Sequence, residues 1–325
     1  MTRRFIAVSA ALSAFFIYFS IIVRTFPIWI SAAGIALGIY ALYMSGDVFL
    51  DQALAVGSRI GLSSKATGTY FISFGAVIDE FAVVLASSAR GYGGISFGTI
   101  QGSNIITMVI FLAALPIAFR QNFRKFRADG FFMLGMTALT LVFALAFTHQ
   151  PWYAGASLVA AYAAYVLANR KRGPVPASRE SPAGISYASL AVSLFLLAVT
   201  SEAIVEYTMN VAVSAHISSF FSGFVVTGIA GSLPEIVMFV LSIPRSDHDS
   251  TMGIVSGTVI YKASLILGIA ILFGDVVLVS GLWSIYLMIL LILIFLLLSF
   301  VRQRKAYTLL PAMAVVAVII WQLFF

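Results

Sequence analysis

The sequence predicts an all-α polytopic membrane protein, and its composition and its apolar runs are the two observations that predict this. Of the 325 residues, 61% are hydrophobic and only 10% are charged, with a mean hydropathy of +1.05. A soluble domain would carry about one quarter charged residues. Cysteine is absent, which excludes disulfides, thiolate metal sites and cysteine nucleophiles.

Eleven apolar runs are long enough to cross a bilayer as helices. The first run follows the basic start "MTRR" and also has features of a signal peptide. Since no small-residue cleavage site precedes Arg24, we expect an uncleaved helix. The runs fall at about 5–23, 28–50, 66–88, 96–119, 131–148, 151–168, 184–210, 219–243, 251–273, 278–301 and 307–325.

The basic residues predict the orientation of these helices. With the N-terminus in the cytoplasm, sixteen of the nineteen Lys and Arg residues fall on the cytoplasmic side. Arg24 and Arg90 fall outside, and Lys262 falls within a helix. The positive-inside rule predicts this asymmetry, so the net charge of +7 requires no nucleic-acid partner. We expect a multi-pass cell-membrane protein with a cytoplasmic N-terminus and an extracellular C-terminus.

The two halves of the chain align without a gap, and the intramembrane acids match, so that Glu80 meets Glu235 and Asp47 meets Glu202. Five helices separate matched positions, so the second copy enters the membrane inverted, which is typical of secondary transporters with a midplane site. The alternative is an old duplication without a transport role. The prediction is a ten-helix core of two inverted five-helix repeats plus one extra helix. Its parts are the extra helix (1–26), a first repeat (27–168, central element about 66–119), a cytoplasmic linker (169–183) and a second repeat (184–325, central element about 219–273).

Glu80 and its mate Glu235 lie near the centres of their predicted helices. A charged residue at the bilayer centre costs roughly 2.5–3.5 kcal/mol, so these carboxylates need a cation, a proton or a buried partner. The alternative is a pair of neutral, hydrogen-bonded acids. In "AGSLPE", Pro234 frees the carbonyl of Ala230, and Ser232 adds a hydroxyl. Such oxygens suit a hard cation, namely calcium, sodium or magnesium.

The partner segments "GTIQGSN" and "GIVSGTV" carry glycines four residues apart, a spacing that lets membrane helices pack closely. Asn104 adds an amide oxygen to the first of them. At these residues the chain resembles the cation/calcium exchanger superfamily, most closely its sodium/calcium exchanger branch. The segments that carry the resemblance are "GSLPE" (Gly231–Glu235), "GTIQGSN" (Gly98–Asn104) and, more weakly, "GAVIDE" (Gly75–Glu80) and "GIVSGTV" (Gly253–Val259).

The resemblance runs from about residue 30 to the end, and it implies calcium efflux driven by sodium or protons through alternating access. It implies that Glu80 and Glu235 are the main cation-binding carboxylates and that Asn104 is a third metal ligand. Lesser ligands would be Ser232 and the carbonyls near Ser73 and Gly228. No cofactor and no nucleotide is implied.

This chain departs from the family pattern at several positions. Ala76 and Val77 stand where the family has a threonine-serine pair. Asp79 stands where the family has proline, and Val259 stands where it has Asn or Asp. One turn later, Lys262 replaces a polar amide, and its repeat mate is Thr107. Since helical side chains lean toward the N-terminus, the Lys262 ammonium is expected near the level of position 259.

Three interpretations of Lys262 remain open. It is a permanent partner of Glu80, Glu235 or Asp79 that replaces one bound metal ion. It titrates with site occupancy, because burial and a neighbouring carboxylate have opposite effects on a lysine's protonation. Or it points away from the site and is structural.

A second group of acids comprises Asp47 and Asp51 with their mates Glu202 and Glu206. They either line access paths for ions or form buried hydrogen bonds between helices, and we expect the buried hydrogen bonds. Five other acids are expected to be solvated loop charges: Asp129, Glu180, Asp247, Asp249 and Asp275.

Other classes of function fit less well. No histidine lies mid-helix and no protease or nucleotide motif occurs, so an enzyme or a primary pump is not expected. The alternatives are a proton-coupled exchanger of another cation, a cation channel, and a cation-binding membrane protein without exchange. The expected partners are inorganic cations and the lipid bilayer, and no oligomeric state is assigned.

Overall fold

A computed structural model of the chain describes residues 28–89, 91–118, 126–169, 186–214, 222–243 and 248–300. Every regular element within these ranges is a helix, as the fold class predicts. The predicted spans 5–23 and 307–325 and almost all of the linker lie outside the described residues.

The described part of the first half contains five helical rods. The second of them is segmented, with a short α-turn, a π-helix, another α-turn and then a regular α-helix. The rods are α1 (Ile28–Arg59), α2 (64–89, made of Ser64–Ala66, the π-helix Thr67–Ile72, Ser73–Ala76 and Ile78–Ala89), α3 (Gly93–Ala118), α4 (Arg127–Ala146) and α5 (Trp152–Asn169).

The second half contains four described rods, two of which include a π-helix. They are α6 (Tyr187–Ser214), α7 (222–242, the π-helix Ser222–Thr227 followed by Gly228–Ser242), α8 (248–273, His248–Ile260, the π-helix Tyr261–Ile266 and Leu267–Phe273) and α9 (278–300, a 3-10 turn Leu278–Gly281 followed by Leu282–Phe300).

Six of the described helices are long and apolar enough to cross a membrane. They fall in α1, α3, α4, α7, α8 and α9. In α6 the apolar stretch Tyr187–Thr200 is shorter. Much of each span lies against other helices, with 89% of the α8 window and 78% of the α3 window buried. These two helices therefore run through the interior of the bundle.

The π-helices fall at related places in the two halves. Thr67–Ile72 and Ser222–Thr227 are offset in the chain by the same interval that separates the matched carboxylates. The third, Tyr261–Ile266, has no counterpart in α3, which is α-helical over the matching residues 106–111. A π-turn inserts one residue into an α-helix, rotates the side chains that follow it and often marks a functional site. This asymmetric π-turn is the one that carries Lys262.

Glycines allow two pairs of helices to approach until their backbones touch. A methyl group at Gly102 of α3 would collide with the backbone carbonyl of Phe224 in α7. A methyl group at Gly257 of α8 would collide with Thr69 and Ser73 of α2. Both contacts agree with the close packing expected at these glycines. They bring α3 against α7 and α8 against α2. Each half thereby supplies one helix to each contact.

The expectation that Asp129 is a solvated loop charge is wrong. Asp129 lies in the first turn of α4 with its side chain fully buried. It forms an ion pair with Lys65 at 2.7 Å, and Tyr165 donates a hydrogen bond of 2.9 Å to its other oxygen. A buried carboxylate needs such partners. Asp275 is exposed, as expected, and pairs with His149.

The interpretation of the second acid group as buried does not hold for Asp51. Asp51 is exposed at the surface of α1 and Asp47 is half-buried. The side chains of their mates, Glu202 and Glu206, lie outside the described part of α6.

Candidate functional site

The ammonium of Lys262 lies between the two repeat-matched glutamates. Its Nζ is 2.5 Å from Oε1 of Glu235 and 3.5 Å from Oε2 of Glu80. It also donates a hydrogen bond of 3.0 Å to the hydroxyl of Ser103. Lys262 has no exposed surface, and the two glutamates, Glu80 and Glu235, are 2% and 1% exposed. These distances do not agree with a lysine that points away from the site.

Four helices supply this cluster. Glu80 comes from α2, Ser103 from α3, Glu235 from α7 and Lys262 from α8. The glycine contacts described above press α3 against α7 and α8 against α2. The site therefore lies where the central elements of both halves cross.

Glu235 uses both of its carboxylate oxygens. Oε1 accepts from Lys262, and Oε2 accepts a hydrogen bond of 2.6 Å from the hydroxyl of Thr107. Thr107 and Ser103 lie four residues apart on α3, and therefore on the same face of the helix. Thr107 is also the repeat mate of Lys262, so equivalent positions of both halves contact this carboxylate.

Glu80 fits against a glycine of the opposite half. A methyl group at Gly231 of α7 would lie 2.6 Å from Oε1 of Glu80. Gly231 therefore provides the space that this carboxylate occupies. The α-helical part of α7 runs without interruption from Gly228 to Ser242 through Pro234. Because Pro234 has no N–H, the carbonyl of Ala230 lacks its usual helical donor.

Lys262 supplies the ammonium that faces the carboxylates of both Glu80 and Glu235. Unit charges 4 Å apart interact by about 4 kcal/mol at an effective dielectric constant of 20, so the lysine strongly stabilises its partners.

The serines predicted as lesser ligands bond to the backbone. The Ser73 hydroxyl donates to backbone carbonyls. Its Oγ lies 2.7 Å from the Gly68 oxygen of its own helix and 2.9 Å from the Ile254 oxygen of α8. Ser232 donates 2.8 Å to the Ile229 carbonyl. Their hydroxyl oxygens keep lone pairs, but their protons bind helix backbone.

Three further predicted ligands are buried and are close in sequence to members of this cluster, namely Asn104, Gly228 and Ala230. The Oδ1 atom of Asn104 accepts no hydrogen bond from the residues that the structure describes. The side chain of Asp79 lies outside the described part, although its backbone belongs to α2. Within the described ranges, no group of three or more His, Cys, Asp or Glu side chains is placed to hold a metal ion.

Sequence reasoning missed two of the residues that hold the cluster together. It did not identify Ser103 as a partner, and it noted Thr107 only as the mate of Lys262. The available signal was their spacing on α3, which places both hydroxyls on one face. Nothing in the sequence pairs them with particular charges, because their partners Glu235 and Lys262 lie in the other half of the chain.

Comparison with known proteins identifies relatives for most of the chain. Residues 30–170 and residues 185–325 each match the family described as Sodium/calcium exchanger protein. The chain is 30% identical over 110 residues to the sodium/calcium exchanger MaX1 of Methanosarcina acetivorans, a match that covers 33% of this chain and 31% of MaX1. It is 22% identical over 266 residues to the inner membrane protein YrbG of Escherichia coli, covering 74% of this chain and 79% of YrbG.

The fold is also similar to a solved structure, that of the sodium-calcium exchanger NCX_Mj soaked with Na+ and Ca2+. The TM-score is 0.71 at 19% identity, and the match covers 89% of this chain and 97% of NCX_Mj. This likeness establishes a common all-helical fold. Because the family match covers more than four fifths of the sequence, the chain belongs to the sodium/calcium exchanger family of membrane proteins.

Proposed function

We propose that this protein is a secondary active cation antiporter that works by alternating access around Glu80 and Glu235. The observation that carries the proposal is the buried Lys262 ammonium between these two carboxylates, with 2.5 Å and 3.5 Å contacts. The Lys262 ammonium is itself a cation and lies between the two carboxylates, so the site accommodates positive charge. Membership of an exchanger family, and not of an enzyme family, supports the same conclusion.

The proposed architecture is a ten-helix core of two inverted five-helix repeats, preceded by one extra helix, with the N-terminus in the cytoplasm and the C-terminus outside. The two family matches support the repeat, since their starts at positions 30 and 185 are offset by the same interval as Glu80 and Glu235. The π-helices Thr67–Ile72 and Ser222–Thr227 have the same offset. An odd number of helices per repeat inverts the second copy.

The proposed ligands are the carboxylates of Glu80 and Glu235 and the amide oxygen of Asn104, with the carbonyl of Ala230, the backbone near Ser73 and Gly228, and the hydroxyl of Ser232 as lesser ligands. Asp79 stays a candidate from its sequence position. All of these donors are oxygen atoms, which suit calcium and sodium. The name of the relative MaX1 supports the pair of calcium and sodium. Calcium exchanged against sodium or protons is therefore the proposed reaction, without any cofactor.

Lys262 is proposed as the built-in cation of this site. In the first form of the proposal it remains charged and replaces one bound ion in every cycle. In the second form it exchanges its proton as ions bind, which would couple transport to protons. Transport driven by a sodium gradient, compared with transport driven by a proton gradient, distinguishes these two forms.

A flux assay tests the proposal. Proteoliposomes containing the full-length chain are given radiolabelled calcium outside, with an imposed outward sodium gradient, an imposed pH gradient or neither. We expect uptake with one of the two gradients, and loss of that uptake to the level of empty liposomes in Glu80→Gln and Glu235→Gln. Asp275→Asn, an exposed acid, is the matched control and should transport normally. Undiminished uptake in both glutamate variants contradicts the site, and uptake that needs no counter-ion indicates a channel.

A further inference from the structure

We propose that Lys262 and Thr107 are a pair of positioning residues that hold Glu235 in the observed state and hold Glu80 once the protein opens to the opposite side of the membrane. The inference rests on the proposed function, because it takes the inverted repeats and alternating access as given. It adds what the lysine does during the transport cycle. Its ammonium passes from one carboxylate to the other and stays within the site.

The first step is the repeat relation among these side chains. Thr107 and Lys262 occupy equivalent positions of the two halves, and Glu80 and Glu235 form a second equivalent pair. In the structure, both members of the first pair contact the same carboxylate. Nζ of Lys262 lies 2.5 Å from Oε1 of Glu235, and the hydroxyl of Thr107 lies 2.6 Å from Oε2. Positions that are equivalent in sequence therefore build an arrangement that favours one glutamate.

The second step is that alternating access exchanges the arrangements of the two halves. When the halves are inverted copies, a state open to one side becomes a state open to the other if each half adopts the conformation of its partner. Under this exchange, the contact of Thr107 with Glu235 becomes a contact of Lys262 with Glu80. The contact of Lys262 with Glu235 becomes a contact of Thr107 with Glu80. Both positions therefore leave one glutamate and gather on the other.

The third step is that Glu80 already lies within ion-pair distance of the lysine. Its Oε2 is 3.5 Å from Nζ of Lys262, against 2.5 Å for the nearer oxygen of Glu235. All three side chains are at most 2% exposed. A buried charge that loses its partner is strongly disfavoured. A direct transfer between the two acids keeps the ammonium paired, and it requires only a small displacement.

The fourth step concerns the backbone that carries the lysine. Residues 261–266 of α8 form a π-helix, whereas the equivalent residues 106–111 of α3 are α-helical. The same repeat position therefore occurs in two backbone arrangements within one molecule. Because a π-turn rotates the side chains of a helix, conversion of residues 261–266 to an α-helix would turn Lys262 relative to both carboxylates. This segment is the part of α8 that changes when the ammonium is transferred.

The transfer decides which carboxylate an entering cation meets with less competition. In the observed state the ammonium lies closer to Glu235, so it repels a cation more strongly there than at Glu80. In the opposite state the ammonium lies on Glu80, and the repulsion is weaker at Glu235. Each carboxylate thereby serves mainly one face of the membrane.

The test measures exchange of radiolabelled calcium for unlabelled calcium in proteoliposomes that hold the full-length chain in one orientation. The half-saturating calcium concentration is determined separately at each face. Glu80→Asp and Glu235→Asp keep the charge but shorten the side chain by a methylene group. We expect each variant to raise this concentration at least about fivefold at one face and less than about twofold at the other, with opposite faces affected in the two variants. In a Lys262→Thr background, which makes both repeat positions threonine, this difference between faces should disappear.

The possible results separate this inference from the function on which it rests. If both shortened variants act at the same face, or equally at both faces, Lys262 keeps one partner and the inference is wrong. Calcium exchange that is lost in Glu80→Gln would still support the proposed site in that case. Absence of calcium exchange in the wild-type protein would overturn the proposed function and this inference together.

Thr107→Val decides if a shortened variant is inactive or does not fold. Because Thr107 holds a different glutamate in each state, its loss should raise the half-saturating calcium concentration at least about twofold at both faces. The ammonium is then shared more evenly between the two acids and repels the entering ion more strongly. Thr107→Ser, which keeps the hydroxyl, should restore both values. An effect of Thr107→Val confined to one face would contradict the transfer.

Discussion

Replacing Glu235 with glutamine is expected to abolish cation transport and to lower the free energy of unfolding by about 3–5 kcal/mol. The variant removes the 2.5 Å partner of Lys262 and leaves an ammonium without exposed surface next to a neutral amide. Glu80, at 3.5 Å, compensates only part of this loss. Flux into proteoliposomes and denaturation in detergent measure the two effects separately.

The double variant Glu235→Gln/Lys262→Met is the control for this interpretation. It removes both charges of the close pair, so most of the lost stability should return while transport remains absent. Replacing both members of a buried ion pair is often nearly neutral, whereas removing one is costly. A single variant as stable as the wild-type protein would contradict the buried ion pair at this position.

The ion pair between Lys65, at the start of α2, and Asp129 is expected to respond unequally to loss of its two members. Lys65→Met leaves the fully buried Asp129 carboxylate without its cation, and we expect a loss of about 3–5 kcal/mol. Asp129→Asn leaves Lys65, whose side chain is 21% exposed and can extend its ammonium to the surface. We expect this second variant to lose roughly 1–3 kcal/mol, mainly from weakened hydrogen bonds.

Thermal unfolding of the two single variants and of Lys65→Met/Asp129→Asn checks this inequality. The double variant should be more stable than Lys65→Met alone, because no buried charge remains. Tyr165 still donates to the position 129 side chain in that variant, since the Asn oxygen accepts as a carboxylate oxygen does. Equal losses for the two single variants would indicate that Asp129 is not buried as the structure places it.

The sequence predicted the all-helical fold class and singled out Glu80, Glu235 and Lys262, which the structure brings together, for identifiable reasons. Hydropathy marks membrane helices because lipid excludes polar side chains, and the gapless alignment of the two halves matched Glu80 with Glu235. The lean of helical side chains toward the N-terminus placed the Lys262 ammonium near these acids. This agrees with its position between them in the structure.

Other features depend on tertiary contacts that a local pattern does not specify. Asp129 follows a basic run and resembles a loop charge. In the structure it is buried, because Lys65 and Tyr165, which belong to other helices, contact its carboxylate. The π-turn at Lys262 has no local signature comparable to a proline. Asn104, Ser73 and Ser232 were predicted as ligands from their residue types. The hydrogen bonds of the two serines to helix backbone could not be predicted in this way, because they depend on the neighbouring turn and on the contact between α2 and α8.

Trans-stimulation of cation efflux is the direct test of cation exchange at the Glu80 and Glu235 site. Proteoliposomes loaded with radiolabelled sodium are diluted into choline chloride with or without an external cation, and the efflux of label is followed in the wild-type protein and in Glu80→Gln. We expect efflux at least tenfold faster when external sodium or calcium is present, and no such acceleration in Glu80→Gln. Equal efflux with and without an external cation, or full acceleration in Glu80→Gln, would contradict exchange at this site.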